Sequence, residues 1–308
     1  MYGNYLNDIC NYLLDKYPFY IDNIDIINKL SYTLKDELTL IDNNTKTNNL
    51  TYKDIFDITS DIICKIDPFY LLSYVRLIEL GILNFDYDNN STSYFKHTKY
   101  NDININREFN YNDVISLIHE FIHYTNGNKV ITYNRKILSE FLSIYFEFHG
   151  YNYLYKLNIP NNEINYHRRI NNLCKCMQDY LKINIPLTLF IKEGIVVENE
   201  YLLNYFIKEE NKYNCSKFFF ERNYKELIKQ LSKIYIKLFT YIFNTSLAFY
   251  AYFNCNIKDI VKLNNNINNY NLNISEILNR VGIDIYDNNF SNNVLNSIKT
   301  YKKIGSDL

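Results

Sequence analysis

The sequence predicts a mainly α protein, and three observations carry that expectation. Apolar residues recur at i, i+3, i+4 and i+7 through 55–66, 70–80, 114–124, 137–148, 224–243 and 275–281, the spacing that lines one face of a helix. A single short stretch, Asp102-Ile103-Asn104-Ile105-Asn106, alternates polar and apolar residues and reads as one strand. No repeat of fixed period interrupts this pattern, which excludes solenoid and propeller arrays.

The chain has 308 residues, enough to bury a substantial core. Residues 1–50 read as an N-terminal helical segment and 51–308 as one continuous unit. With 33 basic and 34 acidic residues the formal charge is −1, so no global field draws the chain to nucleic acid or to an anionic membrane. The Asn-rich clusters at 42–49 and 264–269 contain turn formers and read as surface loops. The apolar run 239–253 is interrupted by Asn244, Thr245 and Ser246 and is shorter than the ~20 residues of a bilayer span, so no membrane segment is expected. Cys10, Cys64, Cys174, Cys176, Cys215 and Cys255 show no CxxC spacing, and the start MYGNYLNDIC lacks the basic and apolar regions of a secretory leader. Reduced thiols and a cytoplasmic setting are expected, with Cys174 and Cys176 read as structural thiols.

The segment VISLIHEFIHYTN, 114–126, sets three ionisable side chains into an apolar helix. His119, Glu120 and His123 form HExxH. At i and i+4 on a helix the two imidazoles share a face and reach one cation, with Glu120 beside it as a base. Catalytic zinc takes three protein ligands and keeps one position for water, whose pKa it lowers towards ~7, so a third ligand has to come from elsewhere in the chain.

The helix at 136–149 supplies it. That segment is apolar nearly all round, yet Glu140, Ser143 and Glu147 fall at i, i+3 and i+7 on one stripe. Two buried helices that each carry a polar stripe are best satisfied face to face, because unpaired buried charge costs several kcal/mol. Glu140, 17 residues after His123, is therefore the expected third ligand of one Zn2+ per chain. A turn at Asn126-Gly127-Asn128 would reverse the chain between the helices, and Gly150 reads as the C-cap of the second. Glu147 is expected to orient an imidazole from behind the ligands, with Ser143 beside it. His97, His149 and His167 have no second ligand at useful spacing and read as surface or structural residues.

These motifs resemble the core of the oligoendopeptidase F and thimet oligopeptidase family, zinc metallopeptidases in which a similar HExxH helix precedes a Glu-x-x-Ser-x-x-x-Glu helix. Glu140, Ser143 and Glu147 match the second pattern position by position, LAFYAYFN at 247–254 resembles the family's Phe-Tyr-x-Tyr segment, and ILNRVGIDIYDNNF at 277–290 resembles its C-terminal region. The likeness runs over about 52–298 and covers the C-terminal catalytic half of a usual member. It implies a helical gluzincin-type catalytic domain with a small β edge beside the active-site helix. It also implies zinc held by His119, His123 and Glu140, and Glu120 as proton carrier. Tyr250 and Tyr252 would stabilise the oxyanion; in a chain with 32 Tyr, plain aromatic core is an equal alternative for them. Asp102, Ile103, Asn104 and Ile105 would form the edge to which substrate adds.

Three features depart from the family pattern. Ile122 stands where a glycine is usual, the loop between the ligand helices is short, and no histidine follows His167, with Asn244 the nearest polar residue to the missing one. The expected function is a zinc-dependent endopeptidase acting on short or unfolded peptides, without nucleic acid or membrane partners, and with a possible partner protein completing the cleft. Two alternatives stay open: a catalytically weakened homologue that acts as a zinc-stabilised binding or inhibitory protein, and another gluzincin with a single protein target.

Overall fold

Helix dominates the computed structural model, which describes residues 2–41, 50–86, 94–96, 102–106, 108–125, 133–159, 163–197, 199–213, 220–267 and 272–306. The loop expected at 42–49, the turn at Asn126-Gly127-Asn128, His97 and Cys215 lie outside the described residues. Packing divides the chain into Met1–Leu40 with Asn171–Phe243, and Ile41–Ile170 with Asn244–Leu308. The division is discontinuous in sequence and follows a different line from the expected 1–50 and 51–308.

The first unit contains α1 (Tyr2–Lys16), α2 (Pro18–Asp22), α3 (Ile24–Lys35), most of α8 (Arg168–Glu193), α9 (Glu200–Tyr213) and α10 (Phe220–Asn254) up to Phe243. Its interior is aliphatic and aromatic, with Leu6, Ile9, Leu13, Ile27 and Leu30 fully buried and Tyr20 packed on Phe239 at 4.6 Å between ring centroids. Pro186 stands inside α8, where it cannot donate to the carbonyl four residues back. That carbonyl, of Lys182, instead accepts the side-chain N–H of Asn199 at 2.9 Å.

The second unit carries the motif helices. Its helices α4 (Tyr52–Ile66) and α5 (Pro68–Glu79) precede strands β1 (Leu83–Asp86), β2 (Tyr94–Lys96) and β3 (Asp102–Asn106), followed by α6 (Tyr111–Thr125) and α7 (Tyr133–Lys156). The end of α10, then α11 (Ile257–Asn266), α12 (Ile274–Asn279) and α13 (Phe290–Ser306) complete it. The ends are capped as the residue types dictate. Thr51 and Asp54 form a capping box on α4, and Asp67 caps α5 ahead of Pro68.

Among the described residues the strands form one sheet in the order β1-β3-β2, with β1 parallel and β2 antiparallel to β3. This corrects the expectation for Asp102, Ile103, Asn104 and Ile105: β3 is the central strand, flanked on both sides, and cannot take a substrate as an added strand. The physical reason is that alternation reports which faces of a strand are buried and says nothing about its edges. Ile103, Asn104 and Ile105 are all buried, as suits a strand covered on both faces.

Two further expectations change. Gly150 lies inside α7, six residues before its end, where its missing side chain lets α6 come close. A Cβ there would stand 2.8 Å from Ile118 Cδ1 and 2.9 Å from Ile115 Cδ1. Asn264 to Asn266, read as loop, end α11; Asn264 is fully buried and donates to Tyr70 Oη at 2.7 Å and Thr125 Oγ1 at 3.1 Å. No described helix is long and apolar enough to cross a membrane.

Gly150→Ala gains about 1 kcal/mol of helix propensity against about 1–3 kcal/mol of overpacking. The expected outcome is a loss of up to about 2 kcal/mol for alanine, and a much larger loss for Gly150→Leu, read from urea unfolding midpoints. A gain in stability for the alanine variant would contradict close contact of α6 and α7 at this position.

Candidate metal centre

The start of α6 is fixed by its own side chains. Asn110 Oδ1 accepts the Asn112 N–H at 2.8 Å, and the Asp113 carboxylate accepts from Glu108 N and Phe109 N, each at 3.0 Å. Phe109 has φ 57°, a left-handed backbone that bulky residues rarely adopt, and the Asp113 contact offsets that cost. From this fixed start, α6 buries Val114, Ile115, Leu117, Ile118, Phe121 and Ile122 and turns its polar stripe towards α7.

The two stripes meet. His119 Nε2 lies 3.2 Å from His123 Nε2 and 3.6 Å from Glu140 Oε2, and His123 Nε2 lies 3.4 Å from Glu140 Oε1. One ligand atom from each of the three residues lies within 4.8 Å of the others, a group that could hold a metal ion. Ligands about 2.0–2.1 Å from a tetrahedral ion stand about 3.3 Å from one another, close to the separations seen here. Glu140 is 39% exposed, against 12% and 16% for the histidines, so the cluster opens to solvent on the carboxylate side. Ser143 Oγ stands 3.4 and 3.3 Å from the two ring nitrogens of His123.

Behind the cluster, Glu147 Oε1 is 2.6 Å from His119 Nδ1. This carboxylate is 3% exposed and takes two N–H groups of Arg169, Nε at 2.6 Å on Oε2 and Nη2 on Oε1. Arg169 Nη2 is also 3.3 Å from His119 Nδ1. The shorter contact with the opposite charge puts the proton on Nδ1, which leaves the Nε2 lone pair facing His123 and Glu140. Burial alone would raise the Glu147 pKa, but the charge of Arg169, then that of His119, outweighs it and brings Glu147 to about 2. Burial by itself lowers the pKa of His119, and the Glu147 carboxylate reverses this to give a net rise. Glu140 is held well below the ordinary carboxylate range: burial opposes this, and the His123 hydrogen bond and both imidazole charges overcome it.

The structure thus brings together His119, His123, Glu140, Ser143 and Glu147. Glu120 is in the same turn of α6, 6% exposed, and its charge acts on His119. Arg169 was not singled out from the sequence, because no motif joins it to HExxH across 50 residues. One signal existed: with Tyr166, Ile170, Leu173 and Met177, it sits at a buried position on an apolar helical stripe, where a lone arginine needs an acid.

Other expected residues stand elsewhere. Tyr252 packs on Phe148, His149 and Tyr301 at 5.7, 5.1 and 6.3 Å, and Tyr250 packs on Phe290 at 5.5 Å. Both rings are half-buried, and Tyr250 also feels the charges of Asp287 and Asp284. Asn244, fully buried, donates to the Ile137 carbonyl of α7 at 2.7 Å. His149 lies against Tyr145 at 4.9 Å.

No protein-family model matches the sequence, and no curated protein matches it. The chain is similar to the "Crystal structure of putative peptidase from Chlamydophila abortus", with a TM-score of 0.53 and 14% identity. The two share a fold. The likeness covers 97% of this chain and 55% of that one, so this chain spans little more than half the length of the Chlamydophila protein.

Two outcomes follow from the Glu147 geometry. Removing one partner of a buried pair typically costs about 3–5 kcal/mol, whereas replacing both with apolar groups is far milder. Arg169→Met alone should therefore unfold at much lower urea than the double variant Glu147→Leu/Arg169→Met. That double variant should still bind zinc about 10–100-fold more weakly than wild type; unchanged affinity would show that Glu147 does not support His119. The raised His119 pKa also makes protons compete with metal above the ordinary histidine value of 6.5. Zinc affinity should fall as pH drops from 8 to 6, with proton release visible by calorimetry in two buffers; a flat profile would contradict the ligand assignment. In metal-free protein the Glu147 contribution has the opposite sign, present above its ordinary 4.5 and lost as pH falls towards about 2.

Proposed function

We propose that this chain is a zinc-dependent endopeptidase that cleaves short or unfolded peptides. The observation that carries the reading is the meeting of His119, His123 and Glu140 in the helix turn that also holds Glu120. Two imidazole nitrogens and a carboxylate are the donor set of catalytic zinc sites that keep a position open. The fold shared with the Chlamydophila protein supports the reading, as does the motif resemblance; membership of the oligoendopeptidase F and thimet oligopeptidase family is part of the proposal.

Zinc, when bound, polarises the scissile carbonyl and makes a water more acidic. The chain's own residues do the rest. Glu120 takes a proton from the water as its oxygen attacks the carbonyl carbon, and gives a proton to the amine nitrogen as the C–N bond breaks. Glu147, fixed by Arg169, keeps His119 in the tautomer that presents Nε2. With β3 enclosed, β2 is the described outer strand on one side of the sheet, and we assign to it the main-chain pairing with an extended peptide. A partner protein that completes the cleft remains part of the proposal. We also propose a cytoplasmic setting, which the free thiols of Cys10, Cys64, Cys176 and Cys255 suit.

A second reading, a zinc-stabilised binding or inhibitory protein, is favoured by the packing of Tyr252 on Phe148 and Tyr301 and of Tyr250 on Phe290, which gives these rings structural work apart from an oxyanion role. A quenched peptide library with wild type and Glu120→Gln separates the two. The endopeptidase reading expects about one zinc in each protein, with cleavage by wild type and a loss of at least about 100-fold in the variant. Zinc in both with cleavage by neither would establish the binder instead.

A further inference from the structure

Helix α7 carries a second set of polar side chains. Each residue turns the helix by about 100°, so His149, Asn152, Tyr153 and Lys156 lie on the side away from Glu140, Ser143 and Glu147. There they line a cavity of about 300 Å³ together with residues of α4 and the first residue of α11, a size at the lower end of small-molecule sites. The cavity wall is largely aliphatic, from Ile62, Ile66, Leu157 and Ile257.

Its charges are all of one sign. Lys65 and Lys156 line the cavity and no carboxylate does. Asp61, one helical turn before Lys65, makes no ion pair with it; Lys65 Nζ lies over the Tyr153 ring at 4.2 Å, and Asp61 accepts from Tyr153 Oη at 3.4 Å. Lys156 has no acid partner among the described residues. Burial, then the charge of Lys156, lowers the His149 pKa to about 4, so the imidazole is neutral and does not add to the positive charge. Two ammonium groups, with no carboxylate lining the cavity, beside an aliphatic wall are complementary to a ligand with one anionic end and an apolar body.

We propose that this cavity binds a small apolar monocarboxylate, its carboxylate at Lys65 and Lys156 and its hydrocarbon against Ile62, Ile66, Leu157 and Ile257. The same chemistry occurs in a free fatty acid and in the C-terminus of a peptide that ends in an aliphatic residue. The site does not depend on the peptidase reading.

Calorimetric titration of the full chain with octanoate, octanol and N-acetyl-leucine tests it, in zinc-loaded and metal-free protein. Octanoate or N-acetyl-leucine is expected to bind at one site, and the tighter of the two identifies the source. Lys65→Met and Lys156→Met should each weaken binding by about tenfold or more, octanol should bind at least as weakly as those variants, and Ile257→Trp should fill the cavity and abolish binding. Thermal unfolding confirms that each variant is folded. Binding by neither carboxylate, equal binding by the lysine variants, or binding lost on metal removal would overturn the proposal; the last would place the carboxylate at the His119 cluster.

Discussion

Glu147 keeps a negative charge inside the protein, and much of the second unit is arranged to let it. A carboxylate at 3% exposure without partners would take a proton or unfold its surroundings. Arg169 supplies two donors from the start of α8 and His119 supplies one from α6, so three helices are tied at one point. That tie also decides the chemistry of His119. With Nδ1 committed to Glu147, the remaining ring nitrogen faces His123 and Glu140. A charge that is costly to bury thereby aims Nε2 of His119 at the cluster, and the missing side chain of Gly150 lets α6 and α7 approach closely.

Helix α7 connects the two ends of this arrangement. One stripe carries Glu140, Ser143 and Glu147, at the spacing that keeps side chains in line. The opposite side carries His149, Asn152, Tyr153 and Lys156 at the cavity. Between them Phe141, Leu142, Ile144, Tyr145, Phe146 and Phe148 are buried, so the helix is held on its apolar faces and its polar stripes are left to do other work. Close packing on its apolar faces holds Glu140 near the two histidines of α6, as a proposed third ligand requires.

What could be read in advance was what local periodicity encodes. HExxH on a helix, a second buried helix with a polar stripe, and the pairing of the two all follow from spacing and from the cost of unpaired buried charge. The long-range partner did not follow. Arg169 lies 22 residues from Glu147 in a segment without a motif, and its role appears only when the start of α8 is placed beside α7. The alternation at Ile103 to Ile105 marked a strand correctly, but edge or centre depends on β1 and β2, which the pattern of β3 does not contain. Asn264 looked like loop by composition and is a buried donor to Tyr70, because tertiary contacts override residue preference. For Tyr250 and Tyr252, in a chain with 32 Tyr, local sequence does not tell packing among aromatic rings from a place at a site.

The central claim is that the facing stripes of α6 and α7 hold one metal ion through His119, His123 and Glu140. X-ray absorption at the zinc edge of zinc-loaded protein tests it most directly. The account expects nitrogen and oxygen ligands at about 2.0–2.1 Å, with the multiple-scattering signature of two imidazoles and no sulfur. A sulfur shell at about 2.3 Å, which would move the metal to the cysteines, or a spectrum of fully hydrated zinc would contradict it.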